Sequence, residues 1–322
     1  MRSPIFLFSL PRSGSTLLQR VLMTHSQISS VAEPWIMLPF SYSYKSTGVL
    51  SEYGHGISFT AIEDFINNLP NKEHDYYDAL KNFVSTLYAK QCKNNELYFL
   101  DKTPRYYLII PEILKTFPDA KFIFLFRNPI HVMSSMMQTW SRGGFREMYA
   151  YERDLNLGPK ALSEGFELLA DKALAIQYEQ FVSDPEMYLE KICEYLDIAV
   201  EGSMLELFSV QNTKGRMGDS TGRYEYKSVS TCSIDKWKQT FSTNYRKKIA
   251  FKYLNSIDES VLRIQGYEKK GILEQINNIE AKRSNFFTDW FDILYSDLIR
   301  HTKANMYFGK QTAKWSKKRF LS

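Results

Sequence analysis

Residues 4–22, PIFLFSLPRSGSTLLQRVL, constrain the fold of this chain more than any other stretch. Ile5 to Leu10 form a near-continuous apolar run, the pattern of a strand buried on both faces. Pro11-Arg12-Ser13-Gly14-Ser15-Thr16 interrupts it, and Leu17, Leu18, Val21 and Leu22 follow in an amphipathic run. The unit reads as strand, tight loop, helix. Such a loop aims backbone N–H groups and a helix N-terminus at one point, which suits an anion such as phosphate or sulfate.

Set against the nucleotide-binding pattern GxxxxGK[ST], Gly14 aligns with the second glycine. Ser9 then replaces the first glycine, Ser15 replaces the lysine, and Thr16 keeps the final hydroxyl. Arg12, two residues before Gly14, offsets the missing lysine with a guanidinium fork in place of a point charge. The alternative is an ordinary helix start with Ser13 as its cap.

A chain of 322 residues accommodates one large α/β domain or two small ones, and 44% apolar residues are ample for a core. Three scattered cysteines, Cys92, Cys193 and Cys232, form no disulfide framework or zinc pattern. They point to a reducing compartment, the cytoplasm, with the inner face of a membrane as a further location. The five histidines form no metal-ligand pattern either; His25 and His131 read as helix packing residues. No apolar run reaches the ~18 residues of a membrane span. The start, MRSPIFLFSLPR, lacks a small-residue cleavage site and reads as a first strand instead of a leader. The net charge is only +5, yet Arg300 to the C-terminus holds seven basic residues and no acid. The body is therefore no basic nucleic-acid binder, and the tail is a separate feature.

Further strands are expected at 28–33, 97–100, 121–126 and 173–178, with helices at 76–93, 106–117, 129–140 and 185–196. Asn128 looks like a helix cap and Pro129 like the first helical residue. Residues 40–70 read as an irregular insertion or lid, and residues from Asp235 onward as mostly helical. This alternation predicts an α/β fold: a central parallel sheet flanked by helices, P-loop-like, with a helical insertion and a C-terminal helical extension. The domain is expected to span 1–270 and the basic extension 271–322. Ligands of such sheets sit at the carboxyl ends of the strands. That rule gathers Arg12 to Thr16, Glu33, Asp101-Lys102, Arg127 and Tyr178. Arg127, with Ser134 and Ser135 on the following helix, makes a second anion site, so two phosphorylated positions of one nucleotide are expected.

At this point the chain resembles sulfotransferases that use 3′-phosphoadenosine 5′-phosphosulfate. PRSGST resembles the family's 5′-phosphosulfate loop, Arg12 to Thr16. FLFRNPIHVMSSMM resembles its 3′-phosphate segment, with Arg127 and Ser135 eight residues apart. ALAIQYEQFVSDPEMYLEKICEYLDI resembles the family's next landmark, and the likeness covers about Pro4 to Leu196. It implies transfer of a sulfuryl group to an acceptor hydroxyl or amine, with no metal required. It implies Glu33 as general base, Lys102 and Arg12 beside the sulfuryl group, Tyr178 against the adenosine, and Lys227 as a weaker cofactor contact. A histidine base is the alternative to Glu33. The expected partners are the donor, its bisphosphate product, and an acceptor glycan, peptide or small molecule, with no nucleic acid. The likeness is to bacterial, glycan and protein-tyrosine enzymes, and the acceptor favoured is a carbohydrate.

Two other classes remain open from the residues. A P-loop kinase would use Asp101, at the end of Leu97 to Leu100, on magnesium. A non-catalytic nucleotide-binding protein would use the tail. Residues 285–299 are amphipathic at helical spacing, with Phe286, Phe287, Trp290, Ile293, Leu294 and Leu298 largely on one side. With the basic end, residues 285–322 could meet an anionic membrane surface or a partner, or pack as a plain C-terminal helix.

Overall fold

The computed structural model describes residues 1–211, 217, 228–282 and 286–302. Five parallel strands build one sheet: β1 (Ser3–Ser9), β2 (Ile28–Ser30), β3 (Tyr98–Asp101), β4 (Lys121–Phe126) and β5 (Ala173–Gln177). Their order is β2-β3-β1-β4-β5, so β1 lies at the centre and the chain reverses direction of growth there. Register pairs Ile5 with Leu100, Phe6 with Phe122, Ser30 with Leu100 and Leu125 with Ile176.

The strands are apolar on both faces, as parallel strands under helices must be, but the two faces differ in chemistry. Side chains alternate along a strand. Phe6, Phe8, Phe122 and Phe124 therefore share one face with Phe99, Tyr106 and Phe117. Ile5, Leu7, Ile123, Leu125 and Ile176 share the other. Helix α1 (Ser15–Leu22) closes the aliphatic face with Leu17, Leu18, Val21 and Leu22, each at most 1% exposed. Burying each such side chain stabilises the fold by roughly 1.5–3 kcal/mol. The aromatic face is held by tilted ring pairs, Phe6 with Phe117 at 5.4 Å and Phe8 with Phe124 at 4.9 Å.

Between β2 and β3 lie α2 (Met37–Ser43), α3 (His55–Asn67) and α4 (Glu73–Gln91). Residues 40–70 are thus largely helical and not the irregular insertion expected. Helix α3 buries only His55 and Ile66, and leaves Ile57 and Phe65 exposed. After β3, a 3-10 turn (Pro104–Leu108) precedes α5 (Ile110–Thr116). After β4 comes α6 (Pro129–Trp140), whose Asn128 side chain accepts the Ile130 N–H at 3.0 Å with Pro129 as first helical residue. Helices α7 (Glu152–Asn156) and α8 (Gly158–Leu169) lead to β5, and α9 (Tyr178–Ser183) begins directly at its end. Then follow α10 (Pro185–Leu196), α11 (Met204–Leu207), α12 (Lys236–Thr240), α13 (Asn244–Ser256), α14 (Glu259–Ile264), α15 (Lys269–Asn277) and α16 (Phe287–Thr302). The expected boundary at residue 270 falls inside α15, which buries Ile272 and Ile276 in the core. His25 lies just past α1, not within it, with its ring nitrogen 2.7 Å from the Ala199 carbonyl oxygen.

Asp101 anchors the β3 end. It is fully buried and accepts hydrogen bonds from Tyr88 of α4, from Tyr106 at 2.8 Å and from Thr103 at 3.0 Å. The Tyr106 hydroxyl also accepts the Met37 N–H at 3.2 Å, so one carboxylate ties β3 to the turn after it, to α4 and to α2. Burial pushes its pKa from 3.8 up to about 6, against the opposing hydrogen bonds and Lys102. A raised carboxyl pKa means that the folded chain holds the proton more tightly than the unfolded one. The stability this contributes is complete below pH 3.8 and is lost as pH rises through about 6. Urea unfolding of the wild-type chain and of Asp101→Asn should therefore differ by an amount that changes in favour of the variant between about pH 4 and about pH 6. A difference independent of pH over that window would contradict this linkage.

Candidate active site

The strand ends carry the loop 11–16, and its geometry is unusual. Arg12 has a left-handed φ of 68° and Gly14 one of 88°. Gly14 stands at the N-cap of α1, and no side chain caps the helix. The early N–H groups are left for a ligand, as an anion cradle requires. Only glycine fits at this position. A Cβ on Gly14 would lie 2.2 Å from Cε2 of Tyr178. The ring of Tyr178 therefore lies against the loop, and its hydroxyl is 2.9 Å from the Ser233 hydroxyl.

Arg127, at the β4 end, holds the loop from the same side. Its Nη1 donates to the Arg12 carbonyl at 2.8 Å, and its guanidinium lies 4.3 Å from the Tyr178 ring centroid. Its Nε is buried and, among the described residues, has no hydrogen-bond partner. Arg12 Nε donates to the Ser135 hydroxyl at 3.2 Å, and its guanidinium lies 5.9 Å from the Trp140 ring. The first and second expected anion sites are thus one connected set of cations and hydroxyls. Ser134 lines the same larger cavity as Arg127 and Ser135, with its hydroxyl 2.7 Å from that of Thr240.

Glu33 follows β2 and meets two donors. Lys102 Nζ lies 2.8 Å from its Oε1, and Trp35 Nε1 donates to its Oε2 at 3.1 Å. Lys102 also donates to Thr16 Oγ1 at 3.3 Å. Trp35 itself sits at a left-handed φ of 58°, with its backbone N–H on Thr103 Oγ1 at 3.2 Å.

Two adjoining cavities flank this cluster. The smaller, about 330 Å³, has Gly14, Ser15 and Thr16 at its base, Glu33 at one side, and Trp35, Trp140 and Tyr151 as aromatic walls. Trp140 and Tyr151 stack at 4.2 Å. The larger, about 630 Å³, runs from Arg127 and Ser135 to Trp237 and Ser230. Arg12, Arg127, Ser135 and Thr139 border both.

Of the residues singled out from the sequence, Arg12, Gly14, Ser15, Thr16, Glu33, Arg127, Ser134 and Ser135 line these cavities. Ser13 is buried within the loop. Lys102 is 1% exposed and lies behind Glu33 and Thr16, so it does not face the cavity as expected. Tyr178, also 1% exposed, lies against Gly14 and Arg127 and not on an open face where an adenosine could touch it. The strand-end rule located both residues but carries no information on which way a side chain turns. Lys227 lies outside the described residues. The sequence reading missed Trp35, Trp140 and Tyr151. Trp35 lies two residues after Glu33 and Trp140 ends the helix of Ser135, but aromatic residues at such positions look like packing.

His131 is stacked on Trp237 at 5.2 Å and shares its Nδ1 with Glu179 at 2.9 Å. It lies on the larger cavity, away from Glu33. Asp101 is also unavailable to a ligand: its carboxylate is enclosed by Tyr88, Tyr106 and Thr103, which removes the magnesium-bound aspartate of the kinase reading. Among the described residues, no group of three or more His, Cys, Asp or Glu could hold a metal ion.

A parallel sheet with an uncapped strand–loop–helix anion cradle at its central strand defines a P-loop-like transferase fold. Residues 4–202 match the family model described as the sulfotransferase family, and the chain belongs to that family. It is 22% identical over 318 residues to nodulation protein NoeE of Sinorhizobium fredii, covering 89% of this chain and 73% of that protein. It is 24% identical over 214 residues to protein-tyrosine sulfotransferase 1 of Danio rerio, covering 62% of this chain and 55% of that protein. Among solved structures it is similar to the sulfotransferase domain of the Synechococcus PCC 7002 olefin synthase, with 25% identity and a TM-score of 0.53 over 73% of this chain and 87% of that one. The protein is accordingly a sulfotransferase, and the donor its family implies is 3′-phosphoadenosine 5′-phosphosulfate.

The contact of Gly14 with Tyr178 yields a direct test. Gly14→Ala adds a Cβ inside the Tyr178 ring envelope at a φ that disfavours alanine. A loss of about 1–3 kcal/mol in unfolding free energy is expected, with weakened binding of 3′,5′-adenosine bisphosphate by calorimetry. Unchanged stability and affinity would mean that the ring yields freely.

Proposed function

We propose that this enzyme transfers a sulfuryl group from 3′-phosphoadenosine 5′-phosphosulfate to a hydroxyl of a carbohydrate acceptor, with Glu33 as general base. The observation that carries this reading is the position of Glu33 on the same small cavity as Arg12, Ser15 and Thr16.

Arg12, Ser13, Gly14, Ser15 and Thr16 are read as the holders of the 5′-phosphosulfate. Charge-assisted donors and the start of α1 meet its oxygens. Arg127 and Ser135 are read as the 3′-phosphate site, and the buried Arg127 Nε that lacks a partner supports an anionic ligand there. Lys227 is carried as a further donor contact on resemblance alone. Tyr178 acts as a support for the loop. In the transfer, the acceptor oxygen attacks sulfur, and its proton passes to Glu33. The bond from sulfur to the 5′-phosphate oxygen breaks, and the electron pair stays on that phosphate. Arg12 and the loop N–H groups stabilise the charge that develops there.

The Lys102 ammonium lies 2.8 Å from one carboxylate oxygen of Glu33 and fixes its orientation. Trp35 fixes the other carboxylate oxygen. A carbohydrate is favoured because Trp35, Trp140 and Tyr151 offer flat apolar faces beside the base, the surfaces on which sugar rings stack. The same walls fit a tyrosine side chain, and one relative bears the name of a protein-tyrosine sulfotransferase. Three free cysteines support the cytoplasm as the working location.

Glu33→Gln should lower kcat by about 10²–10⁴-fold. The variant should keep its thermal stabilisation by 3′,5′-adenosine bisphosphate without magnesium. Full sulfation activity in that variant would remove Glu33 as base, and stabilisation only by ATP with magnesium would remove the donor assignment. Screening sugars against tyrosine peptides with labelled donor decides the acceptor.

Trp35→Phe keeps an aromatic, though smaller, face and deletes the N–H that fixes Glu33. Its kcat is expected to fall by about tenfold while KM for the acceptor changes little, since one oriented hydrogen bond to a carboxylate is lost. A rise in KM with kcat unchanged would assign Trp35 to acceptor binding alone.

A further inference from the structure

Arg105 is the arginine of the smaller cavity that the donor site described above does not use. It stands in the turn after β3, beside Tyr106 and Tyr107, which are at most 2% exposed. The Arg105 side chain, by contrast, is 38% exposed. One edge of its guanidinium is taken by α7: Nε donates to Asp154 Oδ1 at 3.2 Å and Nη2 to Oδ2 at 3.0 Å. Asp154 is itself fully buried and also accepts the Tyr107 hydroxyl at 2.7 Å. A guanidinium presents N–H donors on more than one edge of a rigid plane. The end edge, formed by Nη1 and the second N–H of Nη2, has no hydrogen-bond or ion-pair partner among the described residues.

That edge is a second fork, and the charges around it say what it would meet. Arg12, Arg105 and Arg127 line the cavity against one acid, Glu33, which Lys102 already pairs. With Arg12 and Arg127 given to the donor's anionic groups, Arg105 is left for the acceptor. A guanidinium fork matches a carboxylate or a sulfate in geometry as well as charge, and holds either more strongly than a neutral hydroxyl. Asp154 fixes the plane of the fork in advance, so less side-chain freedom is lost when a ligand binds. The fork is also positioned relative to the candidate base. Thr103, two residues earlier, accepts the Trp35 N–H at 3.2 Å, and Trp35 Nε1 holds Glu33 at 3.1 Å.

We propose that the free edge of Arg105 binds a carboxylate or sulfate group of the acceptor, so that the acceptor is an anionic carbohydrate. This rests on the carbohydrate reading given above and narrows it. The anionic group meets Arg105 while the sugar ring lies against the aromatic walls and the reacting hydroxyl faces Glu33. Arg105 selects and orients the acceptor, and takes no part in the proton transfer or in the departure of the 5′-phosphate.

The test measures binding without turnover. The full chain is loaded with 3′,5′-adenosine bisphosphate, and oligosaccharides are titrated by calorimetry in matched pairs. One pair is a hexuronate oligosaccharide and its carboxyl-reduced form; the other is a sulfated galactose oligosaccharide and its desulfated form. The two pairs distinguish a carboxylate from a sulfate as the group recognised. In at least one pair the charged member should bind about tenfold or more tightly than the neutral one. Arg105→Lys keeps a cation on Asp154 and removes the planar fork, and should bring that pair to within about threefold. Its melting temperature and its affinity for the bisphosphate should not change. If the lysine variant is destabilised, Arg105→Gln/Asp154→Asn removes both charges together and should equalise the pair in the same way. Equal binding within both pairs by the wild-type chain overturns the proposal and leaves the carbohydrate reading standing. A preference that the variants retain does the same. Binding of none of the oligosaccharides overturns the carbohydrate reading, and the proposal with it.

Discussion

The active site depends on one stack of contacts at the ends of three strands. Arg127 comes from the end of β4, Tyr178 from the end of β5, and the loop 11–16 from the end of β1. The guanidinium of Arg127 lies on the Tyr178 ring and bonds the Arg12 carbonyl, while that ring fills the space where a side chain on Gly14 would be. Each partner fixes another. A left-handed residue such as Arg12 persists only where its surroundings over-determine it, and the Arg127 bond to its carbonyl is one such restraint. The same bond makes Arg127 both a prop of the first anion cradle and a lining residue of the second cavity. The anion loop and the larger cavity are therefore coupled through one side chain.

A second set of contacts governs the chemistry beside that stack. Lys102 is almost wholly buried, and its ammonium reaches Glu33 and Thr16. A buried cation without a nearby carboxylate is strongly unfavourable, so Glu33 and Lys102 hold each other in place. Thr16 joins them to the first turn of α1. The candidate base is therefore linked to the anion loop through Lys102 and Thr16. Asp101, the neighbour of Lys102, faces the opposite side of the strand and serves the aromatic core. Asp101 ends β3 and Lys102 follows it, so two adjacent residues divide into one that serves the core and one that holds the candidate base.

That division explains what was legible in the sequence. The five strands, the parallel topology, the anion loop and the spacing of Arg127 and Ser135 were readable, because buried strands and their end residues have short-range signatures. The Asn128-Pro129 start of α6 was readable for the same reason. The orientation of Lys102 and Tyr178 was not, since both turn inward by contacts with residues distant in the chain. The helical character of residues 55–67 was missed although Phe59, Ile62 and Ile66 recur at helical spacing, because the Ser, Tyr and Gly around them read as a loop. The apolar stripe of α16 was visible at helical spacing, but not that Asp289 and Arg246 would turn it outward. An ion pair 43 residues apart leaves no periodic trace.

The smaller cavity shows the same limit in sharper form. Its walls come from Trp35 after β2, Pro104 and Arg105 after β3, Trp140 at the end of α6 and Tyr151 before α7. None of these lies in the anion loop. They converge only because the parallel sheet delivers every strand end to one edge. Arg105 is itself held by Asp154, through bonds of 3.2 and 3.0 Å, and Tyr107 donates to the same carboxylate at 2.7 Å. The wall is therefore braced from behind by α7. The anion loop is one contiguous stretch, whereas the aromatic walls beside it are assembled from four separate segments. On the function proposed above, variation in those four segments is what would let one donor loop serve different acceptors.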